Sequence, residues 1–213
     1  MMVEGSTEIN TLLEQLSQKK PDLVEFRFDR ISDLAILEVI GETKTAFKTI
    51  ATDRGKRDPA TRKKLLQTAA ESGFDFVDVD LEDQASREII PVLKDSESQL
   101  IISYHDFSGT PNNDALSKVL DNERLSGGDV CKIVTAAKHP RDNLTILSFV
   151  ESNASTARLV SFAMGRIGIP SRVLTTVYGA EFTFASLGEE SQTAEGQLSI
   201  DNLRKVWQIL GVS

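Results

Sequence analysis

The stretch DVCKIVTAAKHPRDNLTILSFVES (129–152) opens on an apolar run and closes on a second one, NLTILSFV, with equally strand-like content. Two parallel strands need a crossover of about a dozen residues or more. Only a short connection separates these two runs, so the second is predicted to be a helix over 140–152. With that assignment a single pattern extends along the chain, in which short apolar runs are followed by longer amphipathic segments. The runs are DLVEFRFD (22–29), TAFKTIAT (45–52), FDFVDVDL (74–81), QLIISYH (99–105), DVCKIVT (129–135), ARLVSFAM (157–164) and EFTFASL (181–187). Helix-like stretches between them include DPATRKKLLQTAAESG (58–73), DQASREIIPVLKDS (83–96), NNDALSKVLDNERLSGG (112–128) and SIDNLRKVWQIL (199–210).

Strands and helices alternating at about 25-residue spacing read as βαβ units, and as a (β/α)8 TIM barrel in a compact single domain over 1–213. Seven runs are clear, and the eighth strand would be a stub at residues 1–4. A doubly wound open sheet is the alternative. The first helix carries good end signals: Asp58 can N-cap, Pro59 suits the first helical position, and Gly73 sits where a left-handed residue ends a helix.

The chain has 213 residues, enough for one sizeable core, and a net charge of −8. That charge argues against a nucleic-acid surface, which needs an excess of Lys and Arg. An anionic ligand would need locally placed arginines. One cysteine, Cys131, allows no internal disulfide and suggests a reducing, cytoplasmic setting. No apolar stretch approaches the roughly 20 residues of a membrane span, and MMVEGSTEIN lacks the features of a signal peptide.

Three placements are costly unless compensated. In DLVEFRFDR, Val24, Phe26 and Phe28 face one way and Glu25, Arg27 and Asp29 the other. In a sheet covered on both faces the charged set must pair or line a site. Lys132 shares its parity with Val130 and Val134. Desolvation disfavours an ammonium, and a partly neutral lysine forms Schiff bases with carbonyls. It could equally pair with an inward carboxylate or reach out to solvent. His105 ends its run, where barrels carry their active sites, and imidazole titrates near neutral pH; a structural histidine is the alternative. His139, beside Pro140, reads as a loop residue.

Other chemistries lack support. Two histidines and one cysteine give no zinc set. There is no phosphate-binding glycine motif and no nucleophile elbow. What survives is a cofactor-free, metal-free site of lysine, histidine, carboxylates and arginines.

The motifs EFRFD (25–29), ATDR (51–54), SYHDF (103–107), DVCKI (129–133), GIPSR (168–172) and EGQ (195–197) stand in an order and spacing that resemble the type I 3-dehydroquinate dehydratases of the shikimate pathway. The resemblance covers nearly the whole chain after the first twenty residues. It implies a (β/α)8 barrel, commonly a homodimer, that converts 3-dehydroquinate to 3-dehydroshikimate by syn elimination of water, in aromatic amino acid biosynthesis. On that likeness Lys132 is the Schiff-base lysine and His105 the proton-transfer residue. Glu25 and Arg27 grip substrate hydroxyls, Arg54 makes a further substrate contact, and Arg172 holds the carboxylate. Thr193 and Gln197 belong to a closing loop over 191–197.

Three positions depart from the family pattern. Asp58, followed by Pro59, stands where a glutamate followed by glycines is usual; it could orient His105 or simply cap its helix. Thr193 replaces a serine, keeping the hydroxyl, and Glu195 replaces a proline. Two other readings remain: a different Schiff-base barrel such as a class I aldolase, which typically needs a phosphate cradle not evident here, or a barrel that binds a ligand without chemistry.

Overall fold

A computed structural model describes residues 6–30, 47–188 and 194–212. Strands and helices alternate: α1 (Ser6–Lys19), β1 (Leu23–Arg27), β2 (Lys48–Thr52), α2 (Pro59–Glu71), β3 (Phe76–Asp80), α3 (Ser86–Lys94) and β4 (Gln99–Asp106). Then follow α4 (Asn113–Leu125), β5 (Val130–Ala136), α5 (Arg141–Asn153), β6 (Leu159–Met164), a 3-10 turn (Arg166–Gly168), α6 (Ile169–Leu174) and α7 (Ile200–Leu210). The expected stub strand at 1–4 lies outside the described residues. The chain forms two units, Met1–Ile101 and Ile102–Ser213. No helix among the described residues is long and apolar enough to cross a membrane.

In the first unit, β1, β2 and β3 pair in parallel, with Arg27 opposite Thr52 and Thr52 opposite Asp78. Side chains alternate between faces along a strand, so Glu25, Arg27, Thr52 and Asp78 share one face. Phe26, Ala51 and Val77 take the other and are buried. Phe74 sits edge-on to Phe26, with ring centroids 5.8 Å apart, and against Phe28 at the same distance. Burying each such ring contributes roughly 2–3 kcal/mol. The end signals of the first sequence-predicted helix are realised in α2: the Asp58 carboxylate accepts the Thr61 N–H at 3.0 Å, Pro59 is the first helical residue, and Gly73 takes φ 80°. Buried Leu65, Leu66, Ala69 and Ala70 form the packed stripe of α2.

In the second unit, β5 and β6 run parallel with Lys132 opposite Val160 and Val134 opposite Phe162. Cys131, Ile133, Leu159 and Ala163 point into a core with Leu116 and Leu120 of α4 and Ile146, Phe149 and Val150 of α5. NLTILSFV is thus helical, as its short connection to β5 requires, with Ile146, Phe149 and Val150 against that core and Leu144 exposed. Side-chain caps start α4 and α7, from Asn112 to the Ala115 N–H and from Ser199 to the Asn202 N–H.

One expected strand does not form. Over 181–187 there is no ladder; Ser186 makes an isolated parallel bridge with Ser199. Backbone bonds tie both ends: the Glu181 N–H donates to the Leu159 carbonyl, while Ser186 bonds twice, its N–H donating to the Leu198 carbonyl and its carbonyl accepting the Ile200 N–H, both at 2.9 Å. Between them side chains hold the run: the Thr183 hydroxyl donates to the Arg172 carbonyl at 2.8 Å, and Phe182 packs edge-on against Phe184 at 5.6 Å.

Candidate active site

In the first unit the charged face of β1–β3 is internally paired. Both donors of the Arg27 fork, Nε and Nη2, reach the Asp29 carboxylate at 2.8 Å. Burial works against the charge on Arg27, but the Asp29 hydrogen bonds and the carboxylates of Glu25, Asp29 and Asp78 outweigh it and raise its pKa. For Asp29, burial pushes the carboxyl up, yet the Arg27 hydrogen bonds and charge, helped by the Arg54 N–H, hold it below the usual range. Glu25 accepts the Thr52 hydroxyl at 3.0 Å.

Arg54 stands just beyond β2 and reaches two carboxylates of β3, with Nη2 2.6 Å from Asp78 and Nη1 2.7 Å from Asp80. Such charge-assisted bonds, on a side chain only 18% exposed, fix the guanidinium in place. The turn that carries Arg54 is organised around Asp53, whose carboxylate is fully buried and accepts Arg57 Nε on one oxygen and Arg62 Nε on the other, each at 3.1 Å. Arg57 also donates to the Phe28 carbonyl at 2.8 Å, and Arg62 bonds to Asp83 and to the Gly55 carbonyl. A cavity of about 290 Å³ opens beside this network, lined by Asp53, Arg54, Arg62, Asp78 and Asp80 among others. Asp58 is exposed and its carboxylate is held below the usual range by the Thr61 hydrogen bonds of the helix cap.

In the second unit the parity of β5 decides the site. Because Cys131 and Ile133 enter the helix-packed core, Lys132 projects from the opposite face. It is 5% exposed, and its Nζ lies 4.4 Å from the centroid of the Phe184 ring. Tyr104 packs against the same helix-side core, which turns Ser103 and His105 to the other face of β4. The His105 imidazole is stacked on Phe107 at 6.2 Å and 16°.

Arg172, on α6, is 3% exposed, with its guanidinium carbon 4.0 Å from the centroid of Phe162. Among the described residues no carboxylate pairs with it, and burial alone pushes its pKa down, to about 10. Phe162 and Phe184 touch, centroids 6.1 Å apart. The helix that carries Arg172 is anchored on several sides. The Ser171 hydroxyl donates to the Gly168 carbonyl and accepts the Ala163 N–H, and the Ser171 N–H reaches the Asn143 side chain. Thr175 donates to the Ser161 carbonyl at 2.6 Å and Trp207 Nε1 to the Val173 carbonyl at 2.8 Å. Gly168 itself has no room for a Cβ, which would overlap the Ala163 carbonyl.

Gln197 is 7% exposed, and its N–H reaches the Ala194 carbonyl at 3.2 Å. The preceding Gly196 takes φ 76°, and a Cβ there would strike the Gly165 carbonyl. Glu195 returns that contact through its own carbonyl, which accepts the Gly165 N–H at 3.2 Å. Thr193 lies outside the described residues.

The model of the type I 3-dehydroquinase family matches residues 1–213. The chain belongs to that family. Relatives named 3-dehydroquinate dehydratase include one from Methanocaldococcus jannaschii, 30% identical over 98% of this chain and 96% of its own length. One from Methanococcus maripaludis is 32% identical over 95% and 94% of the two chains. A solved 3-dehydroquinate dehydratase from Geobacillus kaustophilus superposes with a TM-score of 0.86 at 26% identity, over 99% of this chain and 89% of that one. The family's fold is the parallel α/β barrel, so the barrel expectation holds against the open sheet.

The sequence motifs brought out the lysine, the histidine and the arginines, but not what surrounds them. Phe162 and Phe184 were counted only as apolar letters of their runs. The alternation rule that assigned Lys132 its face also places Phe162 there, through the register of β5 with β6. Asp53, Arg57 and Arg62 left no such signal, because a turn, not a periodic element, brings them together.

Proposed function

We infer that the chain is a 3-dehydroquinate dehydratase, a hydro-lyase of the shikimate pathway, working through a Schiff base on Lys132. The observation that carries this reading is a buried lysine on the face of β5 turned away from the helices. Beside it, through the Phe162–Phe184 contact, stands a buried arginine without a carboxylate partner among the described residues. A lysine in such a place can attack a ketone, and an arginine in such a place asks for an anion.

The amine of Lys132 adds to the ring ketone of 3-dehydroquinate and water leaves as the protonated imine forms. That iminium draws electrons from the adjacent C–H bond, and the imidazole of His105 takes the proton. The resulting enamine expels the β-hydroxyl, to which His105 returns a proton, so a second water departs. One water then adds to the imine and releases the 3-dehydroshikimate ketone and the free amine. The net change is the loss of one water. Arg172 holds the substrate carboxylate with a forked pair of hydrogen bonds, and Glu25, Arg27 and Arg54, set by the pairs described above, contact its hydroxyls. Gln197 belongs to the segment that covers the site, while Asp58 serves as a helix cap.

The experiment is mass spectrometry after incubation with 3-dehydroquinate and borohydride. A dehydrated, reduced adduct on the peptide containing Lys132 is expected, and its loss in Lys132→Ala. An adduct on another residue, or none on folded protein, would overturn the assignment. The same reading makes the enzyme a cytoplasmic homodimer, which sedimentation and fractionation would test.

A further inference from the structure

We propose that Phe162 and Phe184 are positioning residues for this reaction, a two-ring shelf that sets Arg172 and Lys132 with respect to each other. The inference rests on the roles given to Lys132 and Arg172 above.

A buried cation is ordinarily compensated by a carboxylate. For a group that must receive a substrate anion, that solution defeats itself, because the carboxylate takes up the donors and repels the ligand. The face of an aromatic ring is an alternative. Its quadrupole attracts the cation while accepting none of the N–H bonds in the plane of the guanidinium. Arg172 has this arrangement: 3% exposed, 4.0 Å above Phe162, and without a carboxylate among the described residues.

Lys132 also stands over a ring, with Nζ 4.4 Å from the centre of Phe184. The two rings are in contact at 6.1 Å and tilted by 59°. Phe162 is fixed by its place in β6 opposite Val134, and Phe184 is braced edge-on by Phe182 at 5.6 Å. The spacing between a carboxylate-binding group and a ketone-attacking group is therefore transmitted through two rigid rings. This makes the shelf a determinant of which keto acids fit: those whose carboxylate and carbonyl are separated as in the substrate.

The two rings act on different kinetic quantities. Loss of the Phe162 quadrupole should loosen Arg172 and raise KM for 3-dehydroquinate about tenfold, near the upper range of one cation–π contact, with kcat within about twofold. Phe184→Leu should act on the other step, lowering kcat and the rate of borohydride-trapped adduct formation with little change in KM, because the protonated imine formed on Lys132 loses the ring face that stabilises it. Phe162→Leu serves as the first variant. A series of increasingly fluorinated phenylalanines at 162 and at 184 serves as the second, since fluorine drains the ring face while keeping its shape and its packing. A stepwise rise in KM along the series at 162, and a stepwise fall in trapping rate along that at 184, is the expected result. Flat profiles in both fluorinated series would show that the rings only fill space and would overturn the proposal. The unaltered enzyme is assayed alongside: if it forms no adduct on Lys132, the catalytic reading itself has failed; if it does and the series are flat, only the shelf has.

Discussion

The guanidinium of Arg27, at the end of β1, and the carboxylate of Asp29, in the turn that follows, meet through two parallel hydrogen bonds of 2.8 Å. The fork holds the Asp29 carboxyl below its ordinary range against the pull of burial, so it titrates lower in the folded chain than in the unfolded one. A carboxylate with a depressed folded pKa contributes its full stability above the unfolded value, about 3.9. It loses that contribution as pH falls through the folded value. Asp29→Asn should therefore cost about 2 kcal/mol at neutral pH and flatten the acid limb of stability. Thermal melts of the two proteins between about pH 2 and 7 check this; the same acid slope in both would exclude Asp29 as its source.

Asp58 separates two roles by a conservative change. Asparagine can cap a helix as aspartate does but carries no charge. Asp58→Ala should lower Tm by about 2–4 °C, while Asp58→Asn keeps both Tm and kcat near those of the unaltered enzyme. A large fall in kcat for the asparagine variant, with Tm intact, would instead assign the carboxylate to proton transfer.

Arg172 should not tolerate lysine. A point charge cannot reproduce the fork, so Arg172→Lys is expected to raise KM by about tenfold or more while borohydride still traps an adduct on Lys132. Burial pushes the guanidinium's pKa down to about 10, so the charge proposed to bind the substrate carboxylate is lost as pH rises through that value. Substrate binding to Lys132→Met, measured by calorimetry, should be level from about pH 7 to 9 and weaken above it. Affinity that holds level beyond pH 10 would contradict the desolvation account.

Cys131 is buried, and its thiol is pushed up to about 12, first by burial and then by the nearby Glu123 carboxylate. The thiolate is the reactive form. Iodoacetamide at pH 8 should leave the native protein unlabelled and react fully in denaturant. Rapid labelling of the folded protein would show that β5 opens locally.

Gly196 takes φ 76° where a side chain would strike the Gly165 carbonyl. Gly196→Ala should displace the segment that bears Gln197 and lower kcat/KM by an order of magnitude or so, about 1–2 kcal/mol of local strain. Circular dichroism should change little, and Tm should fall by only a few degrees. Unaltered kinetics would show that the segment adapts.

How far the sequence was legible varies from place to place. The helix at 141–153 followed from the length of a connection, and the face of Lys132 from alternation; both are short-range rules with few exceptions. The run EFTFASL had strand-like content but lacks a ladder, because its neighbours satisfy it through side chains and a few backbone bonds at its two ends, which composition does not reveal. Arg54 stood out in its motif, yet its ties to Asp78 and Asp80 depend on the register of β2 with β3. The pairing of Arg57 and Arg62 on Asp53 arises in a turn, where no periodicity exists to read. Residues 1–4 and Thr193 lie outside the described residues.

A six-residue helix such as α6 does not persist alone in water. Its place comes from Asn143, Ser161, Ala163, Thr183 and Trp207, residues scattered over sixty-odd positions of the chain. The GIPSR motif is therefore not a transplantable part. Grafted into another barrel it would deliver an arginine without an address, and the heritable unit is the motif together with the distant contacts that seat it. Recombination that exchanges β6 or α7 alone should break function even where every catalytic residue is kept.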